Sequence, residues 1–291
     1  MTRAAPRVGV VVLTQGRRPE GLAASLASVL RQQGVVLDVV VVGNGWDPVS
    51  LPDGVRGLHL PENLGIPAGR NAGVPLVTGE TLFFLDDDET VPSASFLADC
   101  LELMRRSDDI ALIQPRIVDP TGAATPRRWI PRIRKGDPAS SSAVMSVLEG
   151  AVVVRRDAFE AAGGWAGEFF YAHEGIELAW RIWDQGLRAW YAGDLVAHHP
   201  AVAPTRHAEY HRLTARNRVR LARRNLPLPL VPVYVGSWTA VQLLRSARNR
   251  DGIGSWLRGW REGWTTSPGP RRPMSWSTVV RMTRAGRPPV I

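Results

Sequence analysis

Apolar residues fall in short unbroken runs along the first two thirds of the chain, each followed by a polar or glycine-bearing stretch. Residues 7–13 (RVGVVVL), 37–45 (LDVVVVGNG) and 82–85 (LFFL) are rich in β-branched and aromatic side chains. They are too short for helices, which predicts strands buried on both faces. Residues 54–60 predict a weaker strand, 109–118 (DIALIQPRIV) another, and 147–165 a strand followed by a short helix ended by Gly163 and Gly164. Helical spacing appears between them: Leu22, Leu26, Val29 and Leu30 share one face, and Gly34 ends the run. Residues 61–79 read as a glycine-rich loop feeding a short helix, and 93–106 as a helix. So does 174–186, with Ile176, Ala179, Trp180 and Trp183 on one side, and an arginine-rich helix follows at 208–225. This alternation predicts an α/β fold: a doubly wound, mostly parallel sheet with helices on both faces and a helical C-terminal tail. Ligands of such sheets bind beyond the carboxyl ends of the strands. The polar clusters after Leu13, Val42 and Leu85 fall there. Residues 119–142, rich in Pro, Arg, Gly and Ser, predict a long surface loop, either an active-site lid or an irregular excursion.

With 291 residues, 44% hydrophobic and 22% charged, the chain is globular and long enough for a substantial core. The expected division is a catalytic unit at 1–225, with halves at 1–118 and 119–225, and a tail at 226–291. A single cysteine, Cys100, excludes a disulfide framework and a thiolate metal cluster. Charge sharpens the division. Residues 201–291 hold 17 Arg, no Lys and three acids (Glu209, Asp251, Glu262), a balance of +14 against +9 overall, so 1–200 carry −5. With Trp238, Trp256, Trp260, Trp264 and Trp276 interleaved, the tail is expected to contact an anionic membrane surface. It bears no nucleic-acid-binding signature, so no nucleic-acid partner is expected. The uncharged stretch 225–244 approaches a membrane span in length, but Pro227, Pro229 and Pro232 interrupt its first third. An interfacial or core-packed segment is therefore expected. The first apolar run, 8–13, is too short for the core of a secretory signal, so the expected location is cytoplasmic, peripheral to the membrane's inner face.

Asp86-Asp87-Asp88, directly after a buried run, is the sharpest chemical feature. Adjacent carboxylates repel one another unless a cation joins them. Mg2+ or Mn2+, hard ions that share their shell with substrate phosphates, meet that need. His207 and His211, four apart, are the spacing of a metal pair, but nothing else points to zinc.

Several segments in order resemble the family 2 glycosyltransferases of the GT-A fold, inverting enzymes that use sugar nucleotides. VVVLTQGR is similar to that family's first strand and nucleotide loop, and VVVVGNGWDP to its second strand. ENLGIPAGRNAGV is similar to its Asn-x-Gly and Ala-Arg-Asn-x-Gly segment, and FLDDDETVP to its Asp-x-Asp motif. GAVVVRRDAFEAAGGW, with EFFYAHEGIELAWR after it, resembles its acceptor-side strand and acidic helix. YAGDLVAHHP is similar to the strand bearing a metal-binding His, and RNRVRLARRNLP to the closing helix. The resemblance spans residues 7–225. It implies a nucleoside-diphosphate sugar donor and a glycan or lipid-linked acceptor. Asp88 would hold Mn2+ or Mg2+ with His198, or with His199 as the alternative. Thr14, Gln15, Asn44, Arg70, Asp86 and Asp87 would bind the nucleotide. The base, normally the Asp of a Glu-Asp pair, falls on Gly175 here, which leaves Glu174 as first choice and Glu177 as second. Gly43 likewise stands where an Asp is usual, so the nucleotide is open. The missing acid at 175 prompts an alternative reading, a catalytically degenerate membrane-associated scaffold of the same fold.

Overall fold

The computed structural model describes residues 4–132, 134, 136–201, 208–246, 252–286 and 288–289. His207 lies outside them.

The apolar runs form the strands of one eight-stranded sheet. They are β1 (Arg7–Thr14), β2 (Val36–Asn44), β3 (Val55–Leu60), β4 (Thr81–Asp86), β5 (Ile110–Val118), β6 (Ser142–Val144), β7 (Ala151–Arg155) and β8 (Arg188–His198). Their spatial order is β3-β2-β1-β4-β7-β5-β8-β6. The pairings β1–β2, β1–β4, β2–β3 and β5–β8 are parallel, whereas β7 runs antiparallel between β4 and β5, and β6 antiparallel on the far edge. The architecture is GT-A-like, as expected. Both faces are covered. Val11, Leu13, Val40, Val42 and Phe84 point to one apolar layer. Val10, Val12, Val41, Phe83 and Leu85 point to the other. Consecutive residues therefore all meet apolar partners, which is why the strands read as continuous runs rather than alternations.

Helices α1 (Pro19–Leu30), α2 (Ile66–Gly73), α3 (Phe96–Arg106), α4 (Arg156–Ala162) and α5 (Glu174–Asp184) clothe the sheet. The loop at 119–142 is anchored rather than loose: Trp129 and Ile130 are buried, and Gln114 donates from its side chain to the Trp129 carbonyl at 3.0 Å.

Helix α6 (Ala208–Asn225) is followed by α7 (Leu230–Ser246), α8 (Ile253–Thr265) and α9 (Trp276–Arg284). Pro232 sits in the first turn of α7, where its missing N–H costs nothing, so the helix starts earlier than the prolines suggested. Among the described residues no helix is long and apolar enough to cross a membrane. The last helices pack on the sheet-bearing part. A Cβ at Gly259 of α8 would lie 1.9 Å from the Arg212 carbonyl oxygen, so the two backbones touch there. Residues 272–281 are tied to α5 and α6: Arg272 and Met274 donate N–H bonds to Arg224 and Asn225, and Thr278 donates its hydroxyl to Asp184.

Candidate active site

Strands β1, β2 and β4 end level, with Leu13 beside both Val42 and Asp86. The chain then turns through Asp86–Glu89. Ser25 of α1 donates to the Asp86 carbonyl at 3.1 Å, and the Asp86 N–H donates to Gly150 at 2.8 Å. The three aspartates diverge from this turn. Asp86 accepts from Arg70 Nη2 at 2.6 Å. Asp87 accepts from the Thr14 hydroxyl at 2.6 Å and from Arg18 at 3.0 Å. Asp88 meets Arg18 at 2.8 Å and His199 Nε2 at 3.7 Å. Burial and the neighbouring Asp86 raise the Asp88 carboxyl above its ordinary value, against the pull of His199 and Arg18. Glu89, next in line, is fully enclosed, and burial with repulsion from Asp86 and Asp88 pushes it well up.

Arg70, on α2, is 1% exposed and lies 5.3 Å from the Trp165 ring centroid. Its Nε and Nη1 have no hydrogen-bond partner. A buried guanidinium with two idle donors is costly unless something else accepts from it.

Of the two histidines, His199, the alternative ligand, is the one whose ring Nε2 faces Asp88, at 3.7 Å. The Thr90–His198 backbone pair fixes the end of β8, and alternation beyond it sends His199 to the carboxylate side. The His199 ring packs edge-on against Trp129 at 5.4 Å. His198 instead lines a neighbouring cleft of about 590 Å³ with Arg17, Arg18, Gly21, Asp88 and Pro120. Among the described residues, no three His, Cys, Asp or Glu side chains converge into a metal cage. The two donors present, a carboxylate and an imidazole, suit a divalent ion that takes its other ligands from phosphate and water.

Helix α5 enters the site through a strained segment. Phe170, Ala172 and His173 all have positive φ, at 64°, 70° and 74°. Strain of this kind persists only where neighbours impose it. Asn217 of α6 imposes it here, donating to the carbonyls of Phe169, Tyr171 and Ala172 at 2.8, 2.6 and 3.0 Å. Glu174 follows, 2% exposed, with Oε2 unpartnered. Burial, then the nearby Glu149, raise its carboxyl to about 8. Glu177 lies one turn on, in another environment: it accepts from Arg181 at 3.0 Å and from Arg224 at 2.8 Å. This buried ion triad holds α5 to α6. Glu177, the second choice as base, is thus ion-paired to an arginine of its own helix and to one of α6.

Two more expected nucleotide contacts are occupied by the protein itself. The Asn44 side chain donates to Asn63 and to the Gly65 carbonyl at 2.9 and 3.1 Å, and accepts from the Leu64 N–H at 2.8 Å. It shapes the 63–65 turn rather than presenting a free amide. The Thr14 hydroxyl is held by Asp87. Gln15 is half-buried beside it. A Cβ at Gly43 would lie 2.0 Å from the Trp46 carbonyl oxygen, so the turn after β2 closes over the position where an Asp had been expected.

Arg18, Glu89, Glu149 and Trp165 belong to the cluster but were not anticipated. Arg17-Arg18 directly after a strand is a readable sign of an anion site. Glu149, ahead of an apolar run, looks like any strand-flanking charge.

A profile described as "Glycosyl transferase family 2" matches residues 10–163. Two curated relatives, Pre-mycofactocin glycosyltransferases of two Mycobacterium tuberculosis strains, are each 31% identical over 178 residues, 56% of this chain and 37% of theirs. The match thus spans little more than a third of those relatives. GalNAc-T7 in a crystal structure with UDP, GalNAc and Mn2+ is similar at TM-score 0.62 and 15% identity, covering 91% of this chain and 55% of that one. Mannosyltransferase PcManGT from Pyrobaculum calidifontis, in complex with GDP-Man and Mn2+, is similar at TM-score 0.55 and 16% identity, covering 97% and 79%. S. aureus TarS 1-349 in complex with UDP-GlcNAc is similar at TM-score 0.58 and 12% identity, covering 87% and 79%. At such identities the likeness establishes the fold.

Proposed function

The chain belongs to glycosyl transferase family 2, and from that premise we propose that it moves a sugar from a nucleoside diphosphate to a hydroxyl of a glycan or lipid-linked acceptor, inverting the sugar C1. The observation that carries this reading is the aspartate turn at the carboxyl end of β4, where Asp86 holds Arg70 and Asp88 faces His199, groups drawn from three distant parts of the sequence. Asp88 and His199 would hold Mn2+ or Mg2+. Bound there, the ion would supply positive charge to the departing diphosphate. Arg70 has idle N–H donors suited to the same phosphates or to the nucleotide's polar edges, and Asp86 orients it. Thr14 and Arg18 brace Asp87, which keeps the aspartate turn in shape before ligand arrives. Gly43 leaves the choice of base to contacts other than a carboxylate at that position.

For the membrane contact we propose an apolar footing. The arginines of α6 are largely engaged inside the protein, Arg216 and Arg220 donating to the carbonyls of Phe169 and Glu168 and Arg223 to Thr266; in the tail Arg271 donates to Leu226, while Arg245, Arg258, Arg261 and Arg284 are exposed. Exposed Leu228, Val233, Leu244, Leu257 and Trp276 remain for a lipid interface on the inner face.

The test is thermal stability with Mn2+ and UDP-, GDP- and dTDP-sugars. One class is expected to raise the melting temperature only with the metal; at a hundredfold excess over Kd the gain is about 2.7 kcal/mol. Asp88→Ala is expected to abolish the metal-dependent part. No shift with any donor sinks the reading.

A further inference from the structure

The proposed transfer needs a group that takes a proton from the acceptor hydroxyl. Among the described residues, the acids around the strand ends have these surroundings. Asp86 and Asp87 are held by Arg70, Thr14 and Arg18; Asp88 faces Arg18 and His199. Glu89 is 1% exposed, and burial pushes its carboxyl well up. Glu177 sits between two arginines. Glu174 is 2% exposed and short of partners. Glu149 is partly exposed as a residue, its carboxyl is buried, and no cation clasps it.

Its position is specific. The Gly175 N–H, one of the unsatisfied donors at the start of α5, donates to Glu149 Oε1 at 2.7 Å. The Val147 N–H donates to the Gly175 carbonyl at 3.4 Å, so the chain ahead of β7 is tied to the first turn of α5. A Cβ at position 175 would lie 2.4 Å from Glu149 Oε1 and 2.2 Å from the Val147 carbonyl oxygen. Real Cβ atoms do not come this close. The space that a side chain at 175 would take is thus filled by the carboxylate of Glu149 and the Val147 carbonyl, and glycine is required there.

We propose that Glu149 is the catalytic base, its carboxylate reaching from the β6–β7 loop into the space in front of α5, and that Glu174 is a positioning residue beside it. The inference rests on the donor-dependent reading above. In the step, the acceptor O–H bond breaks and its proton passes to a Glu149 carboxylate oxygen. The freed oxygen pair forms the new bond to the sugar C1. The C1–O bond to the diphosphate breaks, and its electron pair leaves with the diphosphate.

The surroundings divide the labour between the two glutamates. Facing them are Arg70 from α2, Asp86 from β4, Glu89 from the aspartate turn and Tyr171 from the strained segment. One arginine cannot neutralise four carboxylates in so enclosed a place, so protons are retained. Burial raises both glutamates, but the Gly175 N–H and Arg70 pull Glu149 back toward the charged form. Arg70 and its own backbone N–H pull Glu174 down as well, but burial and the neighbouring Glu149 outweigh them, so its carboxyl, raised to about 8, keeps the proton at neutral pH. Pairs of this kind titrate as a unit, one member ionised and one neutral. Tyr171 flanks the opening, its hydroxyl pushed up to about 12 by burial and by Tyr210, Glu174 and Glu149, so it stays protonated beside the base.

The experiment compares two nucleophiles on the donor that stabilises the unsubstituted chain. Water must lose a proton to attack; azide has none to lose. Glu149→Gln preserves the acceptor for the Gly175 N–H and so the local fold. It is expected to keep the metal-dependent thermal shift while release of sugar to water falls about 10²–10⁴-fold. Glu149→Ala with azide is expected to form the sugar azide with inverted configuration, at a rate far above its own reaction with water. Wild-type turnover by Glu149→Gln overturns the proposal, as does a water defect confined to Glu174→Gln. Loss of both reactions in Glu149→Ala with donor binding intact also overturns it, because a structural defect would not distinguish the nucleophiles. Failure of every donor to bind the unsubstituted chain is a different result: it sinks the donor-dependent reading itself and this inference with it.

Discussion

Two glutamates three residues apart on α5 live in opposite electrostatic worlds. Glu174 faces the strand ends, where Asp86, Glu89 and Glu149 share the single buried cation Arg70. Glu177 faces α6, where Arg181 and Arg224 both reach it and Arg216 and Arg220 find backbone carbonyls. Both side chains are almost fully enclosed. On the α6 side, charge is matched within the protein, and the result is a joint between helices. At the strand ends, carboxylates outnumber the cation, and Arg70 still has idle donors. That mismatch is tolerable where protons are retained and an outside ligand completes the set. Burial alone does not separate the two; the partners do.

The widest expected gap between them is in stability. Glu177→Gln leaves buried Arg181 without its counter-charge and Arg224 with Glu168 alone, and is expected to cost about 3–5 kcal/mol in chemical denaturation. Glu174→Gln removes no ion pair and is expected to cost far less at neutral pH. Equal losses would erase the distinction between joint and site.

The next contrast is in pH. The folded Glu174 carboxyl titrates at about 8, above its value of 4.5 in the unfolded chain. Its favourable share of stability is therefore whole below pH 4.5 and is lost as pH climbs to 8, at no more than about 1.4 kcal/mol per pH unit. Thermal melts are expected to show Glu174→Gln gaining on the unsubstituted chain between pH 5 and pH 8. A constant difference would mean that Glu174 is ionised throughout.

The smallest effect concerns the tail. On an apolar footing, binding to anionic vesicles rests on apolar side chains rather than on the exposed arginines. It is expected to change less than about twofold between low and physiological ionic strength. A steep fall would restore the cationic footing that composition suggests.

Much of the fold was legible in the residues because it depends on local periodicity. The runs at β1, β2 and β4 could be nothing but doubly covered strands, and the spacing of Leu22, Leu26 and Val29 could only be a helix face. The aspartate turn was legible for the same reason, since a strand that ends in three carboxylates announces itself. Which histidine turns to Asp88 depended on the Thr90–His198 pairing, a contact across more than a hundred residues. The fates of Glu174 and Glu177 depended on which arginines of α6 lie within 3 Å, and helical spacing cannot report that. Net charge counts guanidiniums without seeing the carbonyls that receive some of them, as on α6. Glu149 fills the place beside Gly175 from another segment of chain, and only the folded backbone brings the two within hydrogen-bonding distance. Periodicity is written in neighbouring residues, so sequence determined the layers of the fold; charge pairing is settled between residues far apart, so the tertiary structure decided the chemistry of the site.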